Sequence, residues 1–139
     1  MPVTKAAKDA SEAASWTPRV LSVFRAVVGL LFLSHGLVKL FGFPAGAQPG
    51  IVPLYGLLGL AALLELIGGT VVLIGLFTRP VAFVLSGQMA VAYLMVHAPQ
   101  GAFPVSNGGE PAILYCFAFL LLSTTGAGAW SVDNYLKGS

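Results

Sequence analysis

Four long apolar runs, separated by connections dense in proline and glycine, limit what this chain can fold into. They span about Arg19 to Phe41, Val52 to Phe77, Pro80 to His97 and Pro111 to Gly126. A hydrocarbon core about 30 Å thick takes about 20 apolar residues per helix, within a range of about 17–25. The first two runs reach that length comfortably, and the third and fourth are short enough to end at the interface. Only 9% of the 139 residues are charged and 57% are hydrophobic. A soluble domain carries about 25% charged residues, so this chain cannot cover a water-facing surface. The expected fold is all-α, a polytopic membrane protein built as a four-transmembrane-helix bundle.

The breaks are legible. Gly42 to Gly50, with Pro44 and Pro49, is a loop full of helix breakers. Thr78-Arg79-Pro80 reads as a tight turn, with Pro80 suited to a first helical turn. Ala98 to Gly109 is a longer loop, and Pro111 marks another helix start. Residues 1–18 are rich in Ala, Ser and Lys and lack the apolar core of a secretory signal. They are expected to form a cytoplasmic polar tail, with a short surface helix ending near Trp16. Residues 19–133 then form the membrane domain and 134–139 a C-terminal tail.

Orientation follows from basic residues. Lys5, Lys8 and Arg19 precede the first run, Arg79 lies between the second and third, and Lys137 lies in the tail. The positive-inside rule makes both tails and the Arg79 turn cytoplasmic. Trp16 and Trp130 then mark the inner interface, and the two longer loops face outward. The expected location is a bacterial-type inner membrane, with the lipid bilayer as solvent. A net charge of +2, with its charges dispersed, gives no reason to expect a nucleic-acid partner. The single cysteine, Cys116, excludes an internal disulfide and any Cys-x-x-Cys site, and reads as a small apolar residue.

Chemistry must come from polar residues inside the apolar runs. Arg25, His35 and Lys39 fall within an arc of roughly 80° on the first helix, shared with Phe32 and Gly36. Glu65 lies well inside the second run, with Ala61, Ala62, Gly68 and Gly69 on its side, so a neighbouring helix can approach closely. Gln88 and His97 lie on the third helix. Glu110 stands at the start of the fourth, where the helix dipole favours an acid. Depth counting suggests two ion pairs, Lys39–Glu110 and Arg25–Glu65, with His35 between their levels. The candidate polar site is therefore His35, Lys39, Glu65 and Glu110. Each member also has a plain structural reading: ion pairs that lock helix register, a histidine or Gln88 hydrogen-bonded between helices, an interfacial His97, a capping Glu110.

The ordered set of segments resembles DoxX-like membrane proteins. It comprises Arg25 through His35 and Lys39 to Phe41, then Leu64-Glu65 with Gly68-Gly69 and Gly75 through Arg79-Pro80. Phe103-Pro104, Asn107 to Glu110, and Gly126 through Trp130 to Asp133 complete it. The resemblance covers about Arg19 to Asp133. It implies a four-helix membrane bundle whose matching positions are Arg25, His35, Lys39, Glu65, Arg79, Asn107, Glu110, Trp130 and Asp133.

It also implies an association with quinone-linked sulfur oxidation, with a quinone as the cofactor and other membrane subunits, or further copies of the chain, as partners. The polar interior would then bind a quinone head group, with Lys39 or His35 donating to a carbonyl oxygen and Glu65 or Glu110 handling protons. No flavin, iron–sulfur or copper motif is present, and His35 with His97 is a thin ligand set for a haem. A non-catalytic accessory or lipid-binding subunit is the alternative expectation, and a transporter a weaker third.

Overall fold

The computed structural model describes residues 1–138. Six α-helical segments follow in order: α1 Lys5–Phe41, α2 Leu57–Ile74, α3 Thr78–Ala92, α4 Pro104–Asn107, α5 Glu110–Thr125 and α6 Val132–Gly138. A π-helical turn, Tyr93–His97, and a 3-10 turn, Ala98–Gln100, extend α3 without a break. Three helices are long and apolar enough to cross a membrane: α1, α2 and the 23-residue Thr78–Gln100 rod. The expected fourth is α5, an apolar helix of 16 residues. Its length of roughly 24 Å falls short of a bilayer core. The bundle is all-helical as expected, with three full spans and one shorter member.

One boundary differs from expectation. No short surface helix ends near Trp16; α1 runs unbroken from Lys5 through Pro18 to Phe41. Thr4 begins it, accepting from Ala7 N at 3.3 Å, a normal N-cap. Thr17 occupies the Ala13 carbonyl one residue before Pro18 removes a backbone donor. Every residue up to Val20 is exposed, so the first turns project beyond the bundle as a polar rod. The second and third runs also shift: Val52 to Gly56 and Gly75 to Phe77 lie outside helices, and Thr78 and Arg79 open α3 rather than form a turn.

Glycine sets the register of the α1–α2 hairpin. A methyl group on Gly29 would lie 2.6 Å from Leu73 N, on Gly36 2.6 Å from Leu66 N, and on Gly69 2.6 Å from Leu33 N. The two backbones therefore touch, as the Gly68-Gly69 pair suggested, and in lipid such close packing supplies much of the association energy. Gly69→Ala must push α1 and α2 apart, with an expected loss of about 1–3 kcal/mol. Thermal unfolding in detergent checks this, with Gly87→Ala as the control for helix propensity, because a methyl group there meets nothing within 4 Å and should if anything stabilise.

The second hairpin pairs α3 with α5, where Ser86 Oγ donates to Cys116 O at 2.8 Å. The core between the hairpins holds Phe32, Val72, Leu85, Phe119 and Leu122, all nearly inaccessible. Phe32 packs edge-on against Phe119 at 4.8 Å between ring centroids. α1 and α5 touch far less than the two hairpins do, and aromatic rings fill their seam. The outer surface carries exposed Leu30, Leu31, Leu60, Ile67, Phe83, Leu114 and Phe117, as lipid requires.

Candidate functional site

The charged residues divide into two assemblies at different levels of the bundle. At the first, Lys39 Nζ lies 2.6 Å from Glu65 Oε1, with side-chain exposures of 15% and 4%. It is the one side-chain ion pair among the described residues. The α1–α2 register explains it. Contacts of Gly29 with Leu73 and Gly36 with Leu66 put Glu65 level with residues 36–38 of α1, so the Lys39 stem reaches it. The expected Lys39–Glu110 pair is replaced: Glu110 is exposed in the first turn of α5, where the helix dipole favours its charge.

Glu65 is incompletely satisfied. Its Oε2 is buried without a hydrogen-bond partner, as is Oε1 of Gln88 on α3. Gln88 donates Nε2 to the Ala61 carbonyl, one turn from Glu65. That makes Gln88 the interhelical link expected of it, with an acceptor to spare. From α5, Tyr115 packs against Phe32, with ring centroids 5.3 Å apart. Lys39 of α1 and Glu65 of α2 thus form a buried polar layer, and Gln88 of α3 is joined to α2 one turn away.

His35 is not inside this layer. It is exposed, edge-on to Tyr115 with centroids 5.8 Å apart, at the α1–α5 seam. The 80° arc carries it past the sector that α2 covers. His35 thus lies exposed at the α1–α5 seam rather than between two ion pairs.

The second assembly holds helix ends together. Arg25, 3% exposed, donates Nη1 to Ala127 O at 2.5 Å and Nη2 to Trp130 O at 2.9 Å and Leu73 O at 3.4 Å. The expected Arg25–Glu65 pair does not form. The same register places Arg25 beside the end of α2, about twelve residues and roughly 18 Å from Glu65. Gly75, at φ 75°, leaves room for the guanidinium: a methyl group there would lie 2.6 Å from Arg25 Nη1.

Asp133 caps α3 from a distant segment, accepting from Phe77 N at 2.7 Å and Thr78 N at 2.9 Å. Arg79 donates to the Thr124 and Thr125 carbonyls at the end of α5. Ser22 accepts from Trp130 N at 2.9 Å. Cation on helix C-terminus and acid on helix N-terminus is the arrangement that dipoles favour. Arg25, Arg79, Trp130 and Asp133 are therefore structural at this end, each occupied with backbone.

At the opposite end Asn107 organises the α3–α5 loop. Its Nδ2 donates to Gly101 O at 2.9 Å and Tyr93 Oη at 3.3 Å, and its Oδ1 accepts from Gly109 N at 2.8 Å. His97 Nδ1 lies 3.1 Å from Asn107 O, and its ring stacks on Tyr93. His97 belongs to this loop rather than to the polar layer. Among the described residues no three of His, Cys, Asp and Glu converge on a metal position. Sequence reasoning missed Tyr115 and Ser22. The i, i+4 spacing of Tyr115 and Phe119 was the available signal for the first.

The DoxX family model matches residues 20–98 of the chain. An uncharacterized protein of Haemophilus influenzae is 40% identical over 127 residues, covering 86% of this chain and 92% of that protein. The inner membrane protein YqjF of Escherichia coli is 32% identical over 119 residues, covering 83% and 90%. The uncharacterized membrane protein Rv3486 of Mycobacterium tuberculosis is 29% identical over 151 residues, covering 91% of each. No solved structure matches the chain.

Proposed function

The chain belongs to the DoxX family of membrane proteins, and on that premise we propose that it is an inner-membrane subunit of a quinone-linked oxidoreductase. In this reading the termini are cytoplasmic, from the basic-residue distribution, and the Lys39–Glu65 layer is the quinone head-group site. The observation that carries it is Glu65 Oε2, a buried acceptor with no partner. Buried polar atoms are nearly always bonded, and exceptions call for a reason. A buried ion pair is itself a weak source of stability, so the pair is poorly explained as a fold stabiliser alone.

The donor set fits a quinone head group. The Lys39 ammonium, 15% exposed, can donate beyond its bond to Glu65, because it carries three protons. His35 is exposed at the α1–α5 seam, where a lipophilic molecule in the bilayer can reach it, and its ring nitrogens can donate or accept. Glu65, with one free oxygen, can take or release a proton at Oε2. A bound quinone would supply two-electron redox chemistry. The chain's own residues bind it, orient it and handle protons, while a partner subunit supplies the electrons. The accessory-subunit reading requires none of this.

Purification in mild detergent followed by lipid extraction and mass spectrometry tests the proposal. Near-stoichiometric quinone is expected in the wild type. His35→Ala, at an exposed position, is expected to lose at least two thirds of it with an unchanged melting temperature. Protein that arrives without quinone, or a His35→Ala variant that keeps it, contradicts the reading and favours an accessory membrane subunit.

A further inference from the structure

A second polar feature lies away from the Lys39–Glu65 layer. Between the first turn of α3, the end of α5, the Gly126–Ser131 connection and α6 there is an open cleft of about 520 Å³. Arg79 and Lys137 line it, both exposed. Neutral carbonyls of Thr124 and Thr125 partner Arg79, so its charge is not cancelled. Asp133 is the acidic lining residue, and both its oxygens accept backbone amides of Phe77 and Thr78. Its negative charge is thereby turned onto the positive end of α3. Two cations against one capped acid leave the cleft positive.

A third observation points to a ligand. Thr78 forms part of the wall, is wholly inaccessible, and holds a hydroxyl with no hydrogen-bond partner. A buried hydroxyl without a partner costs free energy that an acceptor oxygen would recover. Basic pockets between membrane helices near the cytoplasmic leaflet suit anionic lipid head groups, whose phosphate oxygens accept from Lys, Arg and hydroxyl donors. Trp130, exposed in the same connection, is a residue type enriched at the interface depth where such head groups lie.

We propose that this cleft binds a phosphate group, the head group of an anionic phospholipid, between Arg79 and Lys137, and that its wall yields enough for the Thr78 hydroxyl to donate to it. The site is independent of the quinone reading, because it shares no residue with the Lys39–Glu65 layer.

Native mass spectrometry of the full chain, released from membranes of phosphatidylglycerol or phosphatidylcholine, tests it. Retained phosphatidylglycerol is expected at about one per chain, with phosphatidylcholine at least fivefold lower. Lys137→Glu should cut retention at least threefold, and so should Thr78→Val, which keeps shape and removes the hydroxyl. Lys5→Glu makes the same charge change on the projecting part of α1 and should leave retention unchanged. Equal loss from Lys5→Glu and Lys137→Glu would overturn the site in favour of diffuse attraction, as would equal retention of the two lipids. Millimolar inorganic phosphate that displaces phosphatidylglycerol, and alone raises the melting temperature as far, would uphold the phosphate site while assigning it a soluble source.

Discussion

Arg25→Met is expected to be the costliest single change at a charged position, and to release the C-terminal segment from the bundle. Methionine keeps most of the volume but removes the donors on three carbonyls, those of Leu73, Ala127 and Trp130. A buried acceptor left unpaired costs about 1–3 kcal/mol; with one bond fully buried and two partly buried, the expected loss is about 3–6 kcal/mol. Those carbonyls belong to the end of α2 and to the connection between α5 and α6. Protease cleavage near Asp133 should therefore rise together with the fall in melting temperature. Arg25→Lys should rescue little, because one ammonium cannot span three carbonyls that a planar fork reaches at once. A variant that melted like the wild type and resisted protease would show that the guanidinium does not hold this end closed.

Glu65→Ala is the second large effect. It leaves the Lys39 ammonium, 15% exposed, without its carboxylate inside the bundle. Breaking a buried pair from one side costs about 3–5 kcal/mol. The Arg25–Glu65 pair expected from sequence would make Arg25 the stranded partner; the structure moves that consequence to Lys39. Glu65→Gln keeps a hydrogen-bonding oxygen and should recover part of the loss. A melting temperature unchanged in Glu65→Ala would mean that Lys39 finds water or lipid phosphate as readily as it finds Glu65.

The fold was largely legible because bilayer insertion demands long apolar helices, and hydropathy displays those directly. All four apolar runs form helices, and Gly68 and Gly69 mark a close helix contact in the sequence itself. The N-terminal boundary was not legible: the helix passes Pro18, whose missing N–H orphans only the Ala14 carbonyl, and Ala14 is exposed, where water can take that acceptor's bond. Arg25, Lys39, Glu65 and Glu110 were identifiable as charges that needed partners. Their pairing was not, because it depends on where α1 and α2 lock together, and contacts at Gly29, Gly36 and Gly69 set that to within a turn. Counting depth along separate helices misplaced Arg25 against Glu65 by about twelve residues, more than three turns, enough to exchange one partner for another. Partners that are backbone carbonyls, as for Arg25 and Arg79, carry no sequence signature at all.

The division of the charges into a buried Lys39–Glu65 layer and a separate Arg25 clasp underlies both the stability and the functional reading. A double-mutant cycle tests it most directly. Thermal unfolding is measured for Lys39→Met, Glu65→Met, Arg25→Met and the two doubles that contain Glu65→Met. With Lys39→Met the double should lose about 2–3 kcal/mol less than the two single losses added together, a coupling within the range for contacting residues. With Arg25→Met the losses should add to within about 0.5 kcal/mol, as for distant sites. Additivity between Lys39 and Glu65, or coupling between Arg25 and Glu65, would contradict the account.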